Sequence, residues 1–180
     1  AAASYSGLTF SPDGNYIYYT AFSQELAQTV LFQVPPLGGE PKKLLENVAT
    51  SPVSFSPDGK QFAFVRPTPR EEFMLMIANA DGATKPVTAQ RWLMIAGLTW
   101  LADGSGLLMR ATSGRQFVYQ IWHLSYPEGE ARQLTNDLNN YLGMSLAAES
   151  GTLAVVQSEQ PASIWVAPTN DSSRARPVTS

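Results

Sequence analysis

A single histidine, His123, and the absence of any cysteine limit what chemistry this chain can carry out. A Ser-His-Asp triad needs its histidine beside an activated serine, and no G-x-S-x-G elbow occurs in the sequence. His123 therefore reads as a residue at the end of a strand. A zinc site needs several His or Cys ligands, so its usual forms are excluded. Thiol catalysis and disulfides are excluded with them. The adjacent carboxylates Glu71 and Glu72 would point to opposite faces of a strand, so they are assigned to a solvated loop. Asp13, Asp58 and Asp103 recur at a fixed spacing. Carboxylates suit calcium, but Asp within Ser-Pro-Asp-Gly is turn chemistry. No catalytic residue, metal ligand or cofactor is assigned.

The elements that hold these residues follow from an internal repeat. Thr9-Phe10-Ser11-Pro12-Asp13-Gly14 returns as Ser54-Phe55-Ser56-Pro57-Asp58-Gly59. It returns again in altered form as Thr99-Trp100-Leu101-Ala102-Asp103-Gly104, and a fourth time from Ser145 to Gly151. The spacing is about 45 residues. Proline pre-sets the turn, serine bonds back to the backbone, and glycine takes the left-handed position. Apolar runs follow each turn: Tyr16–Tyr19, Phe62–Val65, Leu107–Met109 and Leu153–Val156. A third run, a second turn and a short fourth run complete each unit, and Pro86 and Pro177 mark the fourth as an edge strand. The expected fold is all-β: a β-propeller of four four-stranded antiparallel blades within a single domain, residues 1–180. The blades span about 5–46, 49–89, 94–136 and 141–180. Phe10, Phe55 and Trp100 share one repeat position and are expected between blades; Trp122 and Trp165 share another.

Composition agrees with a packed β domain: 44% hydrophobic and 15% charged residues. The net charge is −3 and the twelve Lys and Arg are dispersed, with no cluster denser than Lys42-Lys43. No nucleic-acid partner is expected. No apolar run approaches the roughly 20 residues of a membrane span, so no membrane insertion by this segment is expected. Ala1-Ala2-Ala3 lacks the charged and apolar regions of a signal peptide.

Phe-Ser-Pro-Asp-Gly followed by an apolar strand resembles the WD40-like PD40 repeat of TolB-type propellers. The second turns, Leu37-Gly38-Gly39-Glu40 and Asn79-Ala80-Asp81-Gly82, fit the same pattern. Ile164-Trp165-Val166-Ala167-Pro168 and Arg132-Gln133-Leu134-Thr135-Asn136-Asp137 are similar to the extracytoplasmic propellers of bacterial serine/threonine kinases. Propellers of this kind also gate prolyl-oligopeptidase-type peptidases. No kinase glycine-rich or catalytic loop occurs here. The resemblance implies an extracytoplasmic, periplasmic location. It also implies six to eight blades, against four here. A closed four-bladed ring, a fragment of a larger ring, and a half-ring that pairs with a second copy are all compatible. The two end faces of an open array would be apolar, which favours self-association.

In propellers the unit-to-unit connections and the loops between second and third strands gather on one face. Arg70 and Arg115 fall in such loops; Arg91, Trp92, Asn140 and Tyr141 fall in connections. Arg, Trp and Tyr dominate interface hot spots, so these six residues form the expected binding face. The first functional reading is a non-enzymatic module that binds a protein, peptide or other ligand as a sensor or scaffold. The alternatives are a structural or engineered fragment that self-assembles into a full ring, and a substrate-gating domain of a peptidase.

Overall fold

The computed structural model describes residues 4–79, 82–112, 118–147, 150–159, 163–169 and 171–178. Within them the chain forms sixteen strands in sequential antiparallel pairs. The first unit holds β1 (Tyr5–Phe10), β2 (Ile17–Ser23), β3 (Gln28–Val34) and β4 (Lys42–Glu46), paired in that order. The second holds β5 (Ser54–Phe55), β6 (Gln61–Pro67), β7 (Phe73–Asn79) and β8 (Thr84–Pro86). The third holds β9 (Met94–Trp100), β10 (Gly106–Thr112), β11 (Gln120–Ser125) and β12 (Ala131–Gln133). The fourth holds β13 (Asn140–Leu146), β14 (Leu153–Ser158), β15 (Trp165–Val166) and β16 (Arg176–Pro177). Its strands form two two-stranded ladders rather than one four-stranded sheet.

The repeated turn has the chemistry its residues dictate. The Ser11 hydroxyl donates to the Asp13 carboxylate at 2.5 Å and accepts from the Tyr16 N–H at 2.9 Å. Ser56 repeats both bonds with Asp58 and Gln61, at 2.7 and 3.1 Å. The third turn has Leu101 in place of serine, and there the Ser105 hydroxyl donates to Asp103 instead, at 2.7 Å. Gly14 takes φ 71°, which a residue with a Cβ adopts only under strain.

These hydrogen bonds, hydroxyl donors first, hold all three carboxyls below the ordinary aspartate value of 3.8. A depressed folded-state value contributes stability above 3.8 that is lost as pH falls through the folded value. The melting temperature should therefore decline on acidification below 3.8. In the triple variant Asp13→Asn, Asp58→Asn and Asp103→Asn that decline should be shallower. Identical acid profiles for the two proteins would show that the turns do not carry the effect.

The core lies between units. One cluster joins Leu31, Val48 and Val53 to Phe64, Met76 and Ala78, across the first and second units. A larger one joins Ala63, Val65, Leu75 and Ile77 of the second unit to Trp100, Leu107, Met109, Trp122 and Leu124 of the third. Adjacent residues on one strand thus serve opposite interfaces: Phe64 packs backward and Val65 forward. That is why the strands read as continuous apolar runs rather than alternating ones. Trp100 is buried between blades as expected, whereas Phe10 at the same repeat position is 61% exposed. The reason is topological: Phe10 lies on the face of the first unit that points away from the second, and no other described unit packs on that face.

Candidate functional site

The structure places the six expected face residues in different environments. Arg70 is exposed at the turn between β6 and β7. Arg91 is half-buried, and its Nη1 donates to the Thr88, Ala89 and Gln90 carbonyls, at 3.2, 2.6 and 2.9 Å. Its charge is folded onto its own loop. Asn140 uses its side-chain oxygen to accept the Tyr119 N–H at 2.9 Å. Arg115 lies outside the described residues.

Trp92 and Tyr141 correct the expectation, because neither faces solvent. Trp92 is 1% and Tyr141 is 6% exposed. The backbone of Trp92 pairs with that of Phe73: each N–H donates to the other's carbonyl, at 3.0 and 2.7 Å. The pairing turns the indole inward, edge-to-face on Trp122 at 6.0 Å. The Tyr141 hydroxyl donates to Asp137 at 2.8 Å, and this bond raises its pKa.

Trp92 occupies a position that repeats in the backbone pairing. Val48, Trp92 and Tyr141 donate their N–H to the carbonyls of Thr29, Phe73 and Tyr119, at 3.1, 3.0 and 3.1 Å. Each accepting residue stands within one residue of the start of a third strand. All three donors are buried, so each connection drops one apolar plug between units. Arg110 serves a related purpose at the third junction. Its guanidinium donates to the Tyr141 and Ala96 carbonyls, at 2.7 and 3.3 Å, and lies 5.4 Å over the Tyr119 ring. Burial lowers its pKa.

Among the described residues, three open concavities lie instead at the opposite ends of the strands, beside the Ser-Pro-Asp-Gly turns and their counterpart in the third unit. A groove of about 200 Å³ runs between the first and second units. Its apolar floor is Tyr18, Phe55 and Phe62, with Tyr18 edge-on to both phenylalanines at 4.9 and 5.8 Å. Gln33, Gln61 and Asn79 supply amides, and Lys42 and Lys60 supply ammonium groups. The Gln61 Nε2 donates to Asn79 at 2.8 Å, and its Oε1 accepts from the Tyr126 hydroxyl of the third unit at 2.9 Å. An outer concavity continues the groove past Tyr18, Phe55 and Gly59 to Asp13 and Asp58. Lys42 holds a basic position that returns as Lys85, Arg132 and Arg176, each paired with a third strand, whereas Lys60 follows a turn glycine where the first and third units have Asn15 and Ser105. The groove was missed because it is formed across two units.

Several solved structures share this arrangement. A TolB from Agrobacterium tumefaciens superposes with a TM-score of 0.69 at 18% identity, covering 88% of this chain and 57% of that one. A chain of a nidogen–laminin complex superposes with a TM-score of 0.69 at 16% identity, covering 86% and 57%. A puromycin hydrolase superposes with a TM-score of 0.65 at 19% identity, covering 91% and 29%. The fold is that of a β-propeller. The propeller units here span less than two thirds of the length of these structures. No protein-family model and no curated protein matches the sequence. Among the described residues of the propeller, no group of three or more His, Asp or Glu could hold a metal ion. No helix among them is long and apolar enough to cross a membrane.

Proposed function

We propose that this propeller is a non-enzymatic binding module, and that the groove between its first and second units takes a short protein segment. The observation that carries the reading is the composition of the groove. An aromatic floor of Tyr18, Phe55 and Phe62 stands beside three amides and two lysines. An aromatic floor supplies affinity and a few convergent polar groups supply orientation. Lys42 and Lys60 suit a segment with an apolar anchor next to a carboxylate. Catalysis finds less support: His123 is a ladder residue opposite Arg132. The resemblance to TolB-type and kinase-linked propellers supports an extracytoplasmic sensor or scaffold role.

The test is selection of random displayed peptides on the immobilised chain, followed by anisotropy titration of those enriched. The double reversal Lys42→Glu and Lys60→Glu should weaken the selected peptides at least tenfold, about 1.4 kcal/mol. Both lysines are exposed, so folding should be unaffected. Peptides that bind both proteins equally, or no enrichment at all, would sink the reading.

A further inference from the structure

The third concavity, of about 250 Å³, opens at the junction between the second and third units. Asp58, Asp103, Trp100 and Tyr126 line it. It stands apart from the groove of the first junction, with which it shares only Gln61.

The two carboxylates are only half committed. Oδ1 of Asp58 accepts the Ser56 hydroxyl and the Lys60 N–H, at 2.7 and 3.1 Å. Oδ1 of Asp103 accepts the Ser105 hydroxyl and N–H, at 2.7 and 2.9 Å. Each turn thus uses one oxygen, and no hydrogen bond among the described residues engages either Oδ2. The Lys60 ammonium comes no nearer to Asp58 Oδ2 than 4.0 Å, too far for a hydrogen bond. His123 is close enough to Asp103 to lower its pKa further, but the two share no hydrogen bond among the described residues. Both carboxyls are held below the ordinary aspartate value by their turn bonds, so both are charged at neutral pH.

The aromatic wall adds a second preference for a cation. Trp100 and Tyr126 meet edge-to-face at 5.0 Å. The chain's own Lys85 ammonium lies 5.4 Å over the Tyr126 ring, so this wall already holds one cation. Indole is the strongest side-chain π partner for another. Trp100 is 6% exposed, and its indole N–H has no hydrogen-bond partner among the described residues. A buried donor left unmet is costly, and a ligand with an acceptor beside its cation would meet it. The outer concavity of the first junction has the corresponding aspartates, Asp13 and Asp58, but Phe55 stands there in place of Trp100 and brings no donor.

We infer that this concavity binds an alkyl guanidinium, either the arginine side chain of a protein segment or a free arginine-type cation. A guanidinium presents five donors in a planar fork. It can reach both open carboxylate oxygens while lying against an aromatic ring, whereas an ammonium is a compact point charge. Both carboxylates are exposed, so solvent screens each pair taken singly. Affinity therefore depends on the carboxylates and the indole acting together.

The test titrates N-acetyl-arginine methylamide into the isotope-labelled chain at constant ionic strength and follows the indole N–H signals by magnetic resonance. The chain has four tryptophans, and the signal missing from Trp100→Phe belongs to Trp100. That signal should move along a saturating curve while those of Trp92, Trp122 and Trp165 stay in place. N-acetyl-citrulline methylamide, a neutral isostere, should move none of them. The double variant Asp58→Asn and Asp103→Asn keeps the acceptor oxygen that closes each turn and removes both charges. It should weaken binding about tenfold. Asp13 lies outside the concavity, so Asp13→Asn should bind as the wild type does. A short arginine-containing peptide that binds tighter than the probe identifies a protein segment as the source of the cation, and equal affinity identifies the free cation. A motionless Trp100 signal, an equal response to the citrulline isostere, or undiminished binding by the double variant would each overturn the inference.

Discussion

Trp92→Ala should cost the fold about 3–5 kcal/mol, the range for removing a large aromatic from a well-packed core. The indole is fully buried between the second and third units, edge-on to Trp122 and in one core cluster with Ile95 and Ala111. Its neighbours are held by sheet pairing on both sides, so the vacated space cannot collapse. The indole N–H, however, has no hydrogen-bond partner among the described residues. An unmet buried donor carries a penalty of about 1–3 kcal/mol, and Trp92→Phe removes that donor while keeping most of the ring. Trp92→Phe should therefore lie within about 1.5 kcal/mol of the wild type, as volume-preserving core changes do. Urea unfolding of the three proteins measures both differences. If Trp92→Ala left the midpoint unchanged while weakening a ligand, Trp92 would be a surface contact after all.

That outcome separates what the residues announce from what only packing reveals. The repeat announced the fold because Ser-Pro-Asp-Gly turns and apolar runs are local: each is legible within about ten residues. Which face of a strand meets which neighbour was also legible in part. Phe10, Phe55 and Trp100 share a position, and the third of them is buried as that position demands. Neither the 61% exposure of Phe10 nor the 60% exposure of Trp165 follows from its repeat position: Phe10 faces away from the second unit, and Trp165 lies in a two-stranded ladder apart from the other strands of its unit, facts that no local pattern encodes.

The connections defeated sequence reasoning for a definite reason. Val48, Trp92 and Tyr141 play one role, but the stretches that lead to them differ in length and composition. Alignment by spacing separates them, and Trp92 then looks like an unrepeated aromatic on a loop. Such a residue invites assignment to a binding face. The discriminating signal is a backbone one, the N–H given to the carbonyl that begins the third strand. The groove was illegible for the opposite reason. Lys42 and Lys60 lie in separate units and acquire meaning only when packing sets the fourth strand of one unit beside the first turn of the next. Two strands of the fourth unit likewise read as part of a meander, yet β14 and β15 belong to separate ladders. Their apolar residues are exposed, and the cohesion that neighbours supply elsewhere is absent there.

Gly129→Ala should be among the most damaging single-methyl changes at the described glycines, costing roughly 3 kcal/mol or more. Two effects add. Gly129 has φ +75°, where a Cβ costs about 1–2 kcal/mol. A Cβ there would also lie 2.1 Å from the Val87 carbonyl oxygen. Backbone cannot yield as a flexible side chain can, so either the turn of the third unit or the last strand of the second must move. Overpacking of that kind costs about 1–3 kcal/mol, and here it opens the same junction that buries Trp92 and Trp122. Gly82 occupies the corresponding turn of the second unit at φ +85°, with nothing within 4 Å of its added Cβ. Gly82→Ala therefore isolates the backbone strain, and the difference between the two variants reports the inter-unit contact alone. Thermal and urea unfolding should place Gly82→Ala about 1–2 kcal/mol below the wild type and Gly129→Ala well below that. Equal losses would mean that the third unit's turn does not rest on the second unit, and the packing of one blade on the next would need to be redrawn at that edge.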